Sequence, residues 1–445
     1  MIDNLLTFAN DAVAAAMKLG ADAADALAVD GRGTDIEMRE GNIEKLEQAE
    51  ARAIGLRVFS GKSSAIISGS VLTAEAIGRL AETALAMARL APPDSFSGIA
   101  ERELLATHFP GLDLVSAHLP DAEELKRMAR AAEEAALSIA GVSKSGGSGA
   151  SASDSSVALV TSNGFAHGYR KTGVSVSVSA IVGDGTTMER DYDYSSAIHF
   201  SDLRPAEDVG REAGRRTVKR HNPRKVKSQQ VPVVFDWRVA SSLIGHVMGA
   251  ISGAAIARGT SFLKDSLGQK IFTGGITIVE DPFIPRRLAS RPFDGEGLSG
   301  AKRNIIDQGV LTGWTLDLRS ARQLGLEPRG QGSRGLSSPP SPGSSNLYLQ
   351  AGTSSPRELL SQIKQGLYVT ELIGSSIDMV TGDYSRGASG FWIENGELAY
   401  PVSEITIAGN LKDMFLNVTP ANDLEFRTAV NAPTCRVEGL TIAGL

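Results

Sequence analysis

Apolar positions at the start of the chain repeat at helical spacing and then change to the alternation of strands. Residues 2–19 carry apolar side chains three or four positions apart and stop at Gly20, which predicts an amphipathic helix. Between residues 26 and 68, short apolar stretches alternate with glycine-containing turns, one of them at 31–33. These connections are too short for parallel crossovers, so the pattern predicts an antiparallel meander, followed by a helix over 74–89.

The next part of the chain predicts two helices around a set of polar strands. Asp121 is suited to cap a helix over 121–139, because its carboxylate can accept the free N–H groups of the first turn. The Ser- and Gly-rich segment 142–156 predicts a pair of polar strands, and alternating valines over 174–182 predict another strand. An arginine-rich segment at about 205–220 predicts the helix that ends this half.

A basic segment at 223–227 predicts the boundary between two domains, 1–222 and 223–445. The second half starts with a buried strand, and Asp236 is suited to cap the helix predicted over 238–257. Most of the remaining pattern is typical of strands and turns. We therefore expect an α+β fold with two domains: an N-terminal antiparallel sheet with helices, and a C-terminal β-rich domain with a few helices.

One long segment of the second half has no periodic pattern. Residues 327–345 are rich in Gly, Pro and Ser and poor in core residues. Polar loops of this length are often mobile and can lie over a functional site. A disordered surface loop is an equally good interpretation, so the sequence predicts a loop without deciding its role.

The composition excludes several classes of protein. The 445 residues are 42% hydrophobic and 22% charged, and the net charge of −6 gives no reason to expect binding to nucleic acid or to an anionic membrane. The single cysteine, Cys435, rules out a disulfide framework within the chain. The N-terminal segment lacks the features of a signal peptide, and no apolar run is long enough to span a membrane. We therefore expect a cytoplasmic protein.

Common catalytic and metal-binding patterns are missing from the sequence. A hydrolytic zinc site typically needs two histidines about one helical turn apart and a glutamate base, but no two of the six histidines are so close. His246 is the only histidine on a helix predicted in the C-terminal half, and its neighbours cannot ligate a metal. The sequence around Ser389 falls one residue short of a Gly-x-Ser-x-Gly nucleophile elbow, and no P-loop is present. The residues alone predict no standard catalytic or zinc site in this chain.

Two charged patterns leave functional alternatives open. Basic residues over 211–220 fall at helical spacing and could form a surface for nucleic acid, although a solvated helix face or a charged interface explains them better. Asp294 and Glu296 could bind a cation, but two carboxylates flanked by glycines more often form a turn.

The stretch 382–414 is the most informative part of the chain. Gly382, Gly387 and Gly390 allow sharp bends or a close approach of the backbone, and an Asn-Gly pair at 395–396 predicts a β-hairpin. Taken alone, these residues also fit a core hairpin with solvated polar tips.

With this stretch, the C-terminal half resembles the TldD/PmbA family, once called modulators of DNA gyrase. The other segments that carry the resemblance are 258–263 with Asp265 and Gly268, 293–297, 345–347 and 433–444. The similarity is strong over about 225–445, and it extends over the N-terminal half through the order of strands and helices.

The family has two kinds of subunit, and the resemblance implies which kind this is. The TldD kind carries a His-Glu-x-x-x-His zinc motif on the helix after the first C-terminal strand, with a cysteine ligand further on. Here His246 has neither a glutamate at 247 nor a histidine at 251, and Cys435 does not match the position of the family's cysteine ligand. The chain therefore resembles the PmbA (TldE) kind, in which no metal ligand and no catalytic residue is expected.

The resemblance further implies a cytoplasmic TldD–TldE heterodimer that cleaves peptides and unfolded polypeptide segments, including leader peptides of modified-peptide antibiotics. Zinc and the general base are expected in the TldD-type partner, and no cofactor is expected in this chain. This chain would close the substrate chamber and help to bind the peptide as an added β-strand. The predicted substrate-binding residues are polar groups on the glycine-rich backbone: Asp383, Ser385, Arg386 and Ser389.

Two functions of other classes stay open. One is a non-catalytic homodimer that binds peptides or serves as a scaffold. The other is a nucleic-acid-associated regulator, which only the basic helix at 211–220 supports. A zinc-motif homologue encoded beside this chain would favour the protease subunit, whereas salt-dependent binding to DNA would be needed to keep the regulator.

Overall fold

The computed structural model describes residues 2–444. The strands of the N-terminal half are β1 (Ala23–Arg39), β2 (Asn42–Ser60), β3 (Ser63–Gly69), β4 (Lys144–Thr161), β5 (Ala166–Val182) and β6 (Glu189–Ala197). Its helices are α1 (Ile2–Lys18), α2 (Ala74–Leu90), α3 (Ala122–Leu137) and α4 (Ala206–Lys219). The strands form one antiparallel sheet in the order β3-β2-β1-β4-β5-β6.

Helices α1 to α4 cover one face of this sheet, because apolar residues alternate along its strands. Ala28 of β1 is buried in the core formed with α1 and α2, and Ile36 of the same strand is buried in the core formed with α3. Leu27 lies on the opposite face, where it packs in a cluster with Leu159 and with Phe293 of the C-terminal half. The sheet is therefore the layer between the four helices and the C-terminal half.

Two sequence predictions are wrong for this sheet. Residues 31–33 do not form a turn, because they lie inside β1, where Gly31 is opposite Ala51 of β2 and Ser155 of β4. Residues 142–156 do not form a pair of strands, because most of them belong to the single long strand β4. Both segments are rich in small residues, and pairing along both edges keeps them extended despite their local preference for turns.

The C-terminal half contains two larger sheets and five short helices among its described residues. In chain order its elements are β7 (Gln229–Phe235), α5 (Trp237–Ala250), α6 (Gly253–Arg258), β8 (Ile278–Asp281), β9 (Arg303–Asp307), β10 (Val310–Leu311), α7 (Leu318–Leu324), β11 (Gly332–Ser333), β12 (Ser341–Pro342), β13 (Asn346–Leu349), α8 (Pro356–Ser361), β14 (Gln365–Ile377), β15 (Asp383–Glu394), β16 (Glu397–Asn410), α9 (Leu411–Leu416), β17 (Val418–Pro420), β18 (Val430–Asn431) and β19 (Cys435–Ala443). One sheet has the order β16-β15-β14-β7-β19-β17, and β16 also pairs with β19, so that five of its strands close into a ring. The other sheet has the order β10-β9-β8-β13-β18.

This architecture confirms the predicted α+β fold. The Asn-Gly hairpin is also confirmed, since Asn395 and Gly396 connect β15 to β16 with φ angles of 49° and 86°. Across residues 2–444, no helix has the length and apolar character needed to cross a membrane.

The helix predicted over 238–257 is interrupted and forms α5 and α6. The N–H of Gly253 donates to the carbonyl of Thr315 at 2.8 Å, outside the helix. A Cβ atom at Gly253 would lie 2.7 Å from Leu316 Cδ2, so this position requires glycine. The close packing against residues 315–316 therefore separates the two helices.

The sequence did not decide whether the segment 327–345 is ordered or what its role is, and in the structure its centre is buried. Gln331 is fully buried, and its amide donates to the carboxylate of Glu280 at 2.6 Å. The buried Arg334 side chain pairs with Asp25 of β1. A polar side chain that reaches a buried partner is held as firmly as an apolar one, and composition alone does not reveal such partners. This segment connects the C-terminal half to the N-terminal sheet.

Candidate functional site

Helix α5 follows the first strand of the C-terminal half and is fixed at its start by Asp236. One carboxylate oxygen of Asp236 accepts a hydrogen bond from the N–H of Arg238 at 3.0 Å, as the sequence predicts for a cap. The other oxygen accepts a hydrogen bond from the hydroxyl of Tyr368 on β14 at 2.8 Å. Ile244 and Val247 are buried in the core beneath the helix. Helix α5 is therefore held against the ring of strands at its cap and along its apolar face.

His246 lies on α5 and belongs to no group of metal-binding side chains among residues 2–444. Its Nε2 atom is buried without a hydrogen-bond partner, and its ring meets that of Tyr384 edge to face, with centroids 5.7 Å apart. Burial, with a smaller effect from the charge of Arg386, lowers the pKa of His246 to about 4. No group of three or more His, Cys, Asp or Glu residues within 2–444 is arranged to hold a metal ion. The donor set around His246 therefore does not fit zinc.

The four predicted substrate-binding residues all lie on β15, but the structure does not bring them together. Asp383 is exposed and Ser385 is half-buried, and the two share one face of the strand. Arg386 is on the opposite face with Tyr384, which is the face covered by α5. A single groove along one face of β15 would therefore contact only part of the predicted set.

Ser389 lies apart from the other three, where the pairing of β15 with β16 shifts. It is 4% exposed, and its hydroxyl accepts a hydrogen bond from Arg220 at 2.6 Å and donates one to Glu371 at 3.3 Å. Arg220 is the C-cap residue directly after helix α4 of the N-terminal half. Ser389 therefore faces the junction between the two halves. A role in substrate binding stays a prediction for all four residues.

Two arginines of the predicted basic pattern at 211–220 pair with carboxylates, one within the N-terminal half and one across the junction. Arg216 pairs with the fully buried Asp193 at 3.0 Å, and Arg220 pairs with Glu371 of β14 at 2.8 Å. Carboxylates thus neutralise two of the charges that could otherwise contact a phosphate backbone. This arrangement favours the interpretation of the basic pattern as a charged interface.

A cleft of about 670 Å³ lies at the junction, near the start of α5. Its lining includes the aromatic residues Trp237, Phe391 and Tyr400, and it includes both basic and acidic side chains, among them Arg216, Lys219, Asp191, Glu212 and Asp423. Sequence reasoning missed this cleft, because its walls come from distant parts of the chain. Only the position of Trp237 directly after the predicted helix cap gave any signal. Aromatic surface combined with a few polar and charged groups is typical of ligand-binding clefts.

Asp294 and Glu296 form a buried turn. One carboxylate oxygen of Asp294 accepts hydrogen bonds from the N–H groups of Glu296 and Leu298, each at 2.9 Å, and the other accepts from Gly332 at 2.7 Å. Glu296 accepts from the N–H of Leu318 at 2.8 Å. Burial, followed by the charge of Asp294, raises the pKa of Glu296 to about 8. These contacts support the turn interpretation of the sequence and leave no ligand set for a cation among the described residues.

Three family models together match most of the chain. They describe PmbA/TldA metallopeptidase domain 1 over residues 24–88, the central domain over 117–220 and the C-terminal domain over 228–444.

Curated relatives match along nearly the whole length. The chain is 38% identical over 439 residues to the metalloprotease PmbA of Escherichia coli O157:H7, covering 98% of this chain and 96% of the relative. It is 35% identical over 436 residues to the metalloprotease PmbA homolog of Haemophilus influenzae, covering 97% of this chain and 94% of the relative.

Solved structures share the same fold. A putative modulator of DNA gyrase from Bacteroides thetaiotaomicron superimposes with a TM-score of 0.91 at 27% identity, covering 99% of this chain and 98% of the other. TldE from Thermococcus kodakarensis superimposes with a TM-score of 0.87 at 20% identity, covering 98% of this chain and 100% of the other. The identity to the curated relatives and the three domain matches show that the chain belongs to the PmbA/TldD metallopeptidase family.

Proposed function

We propose that this chain is the zinc-free subunit of a two-subunit metalloprotease that acts on peptides and unfolded polypeptide segments. The observation that carries the proposal is the donor set of helix α5. His246 is its one histidine, it faces Tyr384, and no group of metal-binding side chains exists within residues 2–444. Relatives of the chain are nevertheless named metalloproteases. A second chain that carries the metal ligands reconciles these facts.

The partner that fits this role is a zinc-motif subunit of the TldD kind. In the heterodimer, the partner supplies the metal and the general base, and this chain completes the substrate chamber. The cleft with Trp237, Phe391 and Tyr400 offers apolar surface for an extended peptide. The structure named TldE, which shares the fold, supports this assignment by its name.

We place the pair in the cytoplasm. Cys435 is buried and is the single cysteine of the chain, so no disulfide within the chain depends on an oxidising compartment.

The first experiment measures zinc content and peptide hydrolysis of the purified chain, alone and mixed with a zinc-motif family member from the same organism. We expect stoichiometric zinc and hydrolysis of an unstructured peptide only in the mixture, with both chains eluting together in size-exclusion chromatography. A variant of the partner without its motif glutamate is the matched control, and it should assemble without activity. Zinc and hydrolysis in this chain alone would overturn the proposal. An active partner that never associates with this chain would favour the homodimeric peptide-binding scaffold instead.

A further inference from the structure

Arg386 is a cation without a partner on the inner face of β15. Its Nε atom is buried without a hydrogen-bond partner, and within residues 2–444 its side chain makes no hydrogen bond or ion pair. Tyr384 and Ala388, two positions away on either side, are each 2% exposed, and Ile407 directly across on β16 is fully buried. Arg386 as a whole is half-buried, so its charge is partly desolvated, and an anion or several acceptors would stabilise it.

Two further polar atoms in the same place lack partners. The hydroxyl of Tyr384 and the Nε2 atom of His246 are both buried without a hydrogen bond. The two rings are in contact, with centroids 5.7 Å apart, and Arg386 lies two residues from Tyr384, or roughly 7 Å along the strand. Buried polar atoms without partners are rare in folded proteins, so three of them from adjacent side chains indicate a site for a polar ligand.

The three groups favour an anionic ligand. Arg386 is a permanent donor, the Tyr384 hydroxyl can donate, and a neutral His246 can donate from Nε2. Burial lowers the pKa of His246 and raises the pKa of Tyr384, and the charge of Arg386 adds to the first shift and opposes the second. A carboxylate has two oxygens with several lone pairs, enough to accept from all three donors.

An open depression adjoins this site at Tyr384, and its lining residues do not include Arg386 or His246. It has a volume of about 660 Å³, and its lining includes Ile377, Met379 and Tyr384. Asp378 and Asp383 also line it, which would oppose an anion. Hydrogen bonds already engage both carboxylates: Asp378 accepts from the N–H groups of residues 380 and 381, and Asp383 accepts from the side chains at 381 and 410.

We propose that Arg386, Tyr384 and His246 form a subsite that binds the terminal carboxylate of a peptide. The proposal rests on the proposed function, because substrate peptides are the source of the carboxylate. Such a subsite anchors one end of an extended chain next to the strands that pair with its backbone, and thereby selects short peptides with a free C-terminus over internal segments of folded proteins.

The test compares two peptides that differ only at the C-terminus. The probes are N-acetylated tetra-alanine with a free carboxylate and the same peptide as a C-terminal amide, titrated calorimetrically into the full chain. We expect the acid to bind at least about tenfold more tightly than the amide, because the difference includes hydrogen bonds to a charged group. Arg386→Gln and Tyr384→Phe should each abolish most of this preference. Arg79→Gln, at an exposed arginine of helix α2, is the matched control and should leave it unchanged.

Equal affinity for the two peptides, or no binding of either, would overturn the proposal. It would also be overturned if Arg386→Gln weakened only assembly with the zinc-motif subunit, since the occupant would then be an acidic side chain of that protein. The titration needs no catalysis, so its outcome is separate from the proposed function. If the chain prefers the peptide acid but the two-subunit mixture hydrolyses no peptide, the subsite stands and the protease function is wrong. If the mixture hydrolyses peptides but the chain shows no preference, the protease function stands and the subsite is wrong.

Discussion

Arg238 and Asp191 form a buried ion pair across the junction between the two halves, with a guanidinium nitrogen 2.7 Å from a carboxylate oxygen. Their side chains are 4% and 2% exposed. Arg220 lies 3.5 Å from the second oxygen of Asp191, so one carboxylate holds an arginine from each half. The pair connects the last strand of the N-terminal sheet to the first turn of helix α5.

Asp191→Asn is expected to destabilise the chain strongly. Removing one partner of a buried ion pair leaves charge without compensation and typically costs 3–5 kcal/mol. Arg238 still pairs with Asp236 and Arg220 still pairs with Glu371 in this variant. We therefore expect a loss at the lower end of this range, about 3 kcal/mol in the free energy of unfolding, measured by urea denaturation. Glu75→Gln is the control, since its pair with Arg79 is exposed and should contribute less than about 1 kcal/mol. Equal losses in both variants would contradict a stabilising role for the junction pair.

Glu296 is expected to make the chain less stable as the pH rises. Its ordinary pKa is 4.5, and in the folded chain burial and the charge of Asp294 raise the pKa to about 8. The folded state therefore binds a proton that the unfolded state releases. Binding of this proton stabilises the folded chain. The stabilisation is fully present below pH 4.5 and is lost as the pH rises through 8. One pKa unit corresponds to about 1.4 kcal/mol, so the total effect is on the order of a few kcal/mol.

Glu296→Gln should flatten this part of the pH profile. The amide mimics the neutral acid and can still accept from the N–H of Leu318. Thermal unfolding between pH 5 and 9 measures the effect, with Glu44→Gln at an exposed site as the control. If the native chain and the Glu296→Gln variant lose stability equally as the pH rises, a group other than Glu296 causes the pH dependence.

The sequence was sufficient for elements with strong local signals. Asp121 caps α3 with its carboxylate on the N–H of Glu124, and Asn395-Gly396 forms the hairpin turn, because caps and turns depend on residues only a few positions apart. The turn expected at 31–33 failed for the opposite reason. Its glycines prefer bends locally, but pairing with β2 and β4 on both edges holds them extended.

The site was harder to derive than the fold. Arg386 and Ser389 are three positions apart on one strand, which puts them on opposite faces, and a bulge then turns Ser389 toward the N-terminal half. The partner of Ser389 is Arg220, 169 positions away in the sequence. No local pattern predicts such a contact, and the basic pattern at 211–220 fitted a solvated helix face as well as a charged interface.

Gly55→Ala is expected to displace the connecting segment from the N-terminal sheet. A Cβ atom at Gly55 would lie 1.9 Å from the backbone carbonyl oxygen of Leu336, so the strand and the segment cannot keep their contact. We expect a loss of about 2 kcal/mol or more in unfolding free energy, together with faster proteolysis within 327–345. Gly78→Ala on helix α2 is the control, because its Cβ would meet no atom within 4 Å and alanine favours helix. A segment that stays protected in Gly55→Ala would show that its contact with β2 is dispensable.

Ser389→Ala separates a structural role from a role in substrate binding. The Ser389 hydroxyl accepts from Arg220 and donates to Glu371, and at 4% exposure a peptide cannot reach it without opening the junction. We expect the variant to lose about 1–2 kcal/mol in unfolding free energy, because a hydrogen bond to a charged group is lost. Ser385→Ala, whose hydroxyl makes no hydrogen bond within the described residues, should change stability by less than about 0.5 kcal/mol.

Peptide hydrolysis by the assembled pair, measured well below the melting temperature, should be unchanged in Ser389→Ala. A reduced kcat/KM with intact assembly would instead indicate that Ser389 binds the substrate, which requires that the junction open during binding.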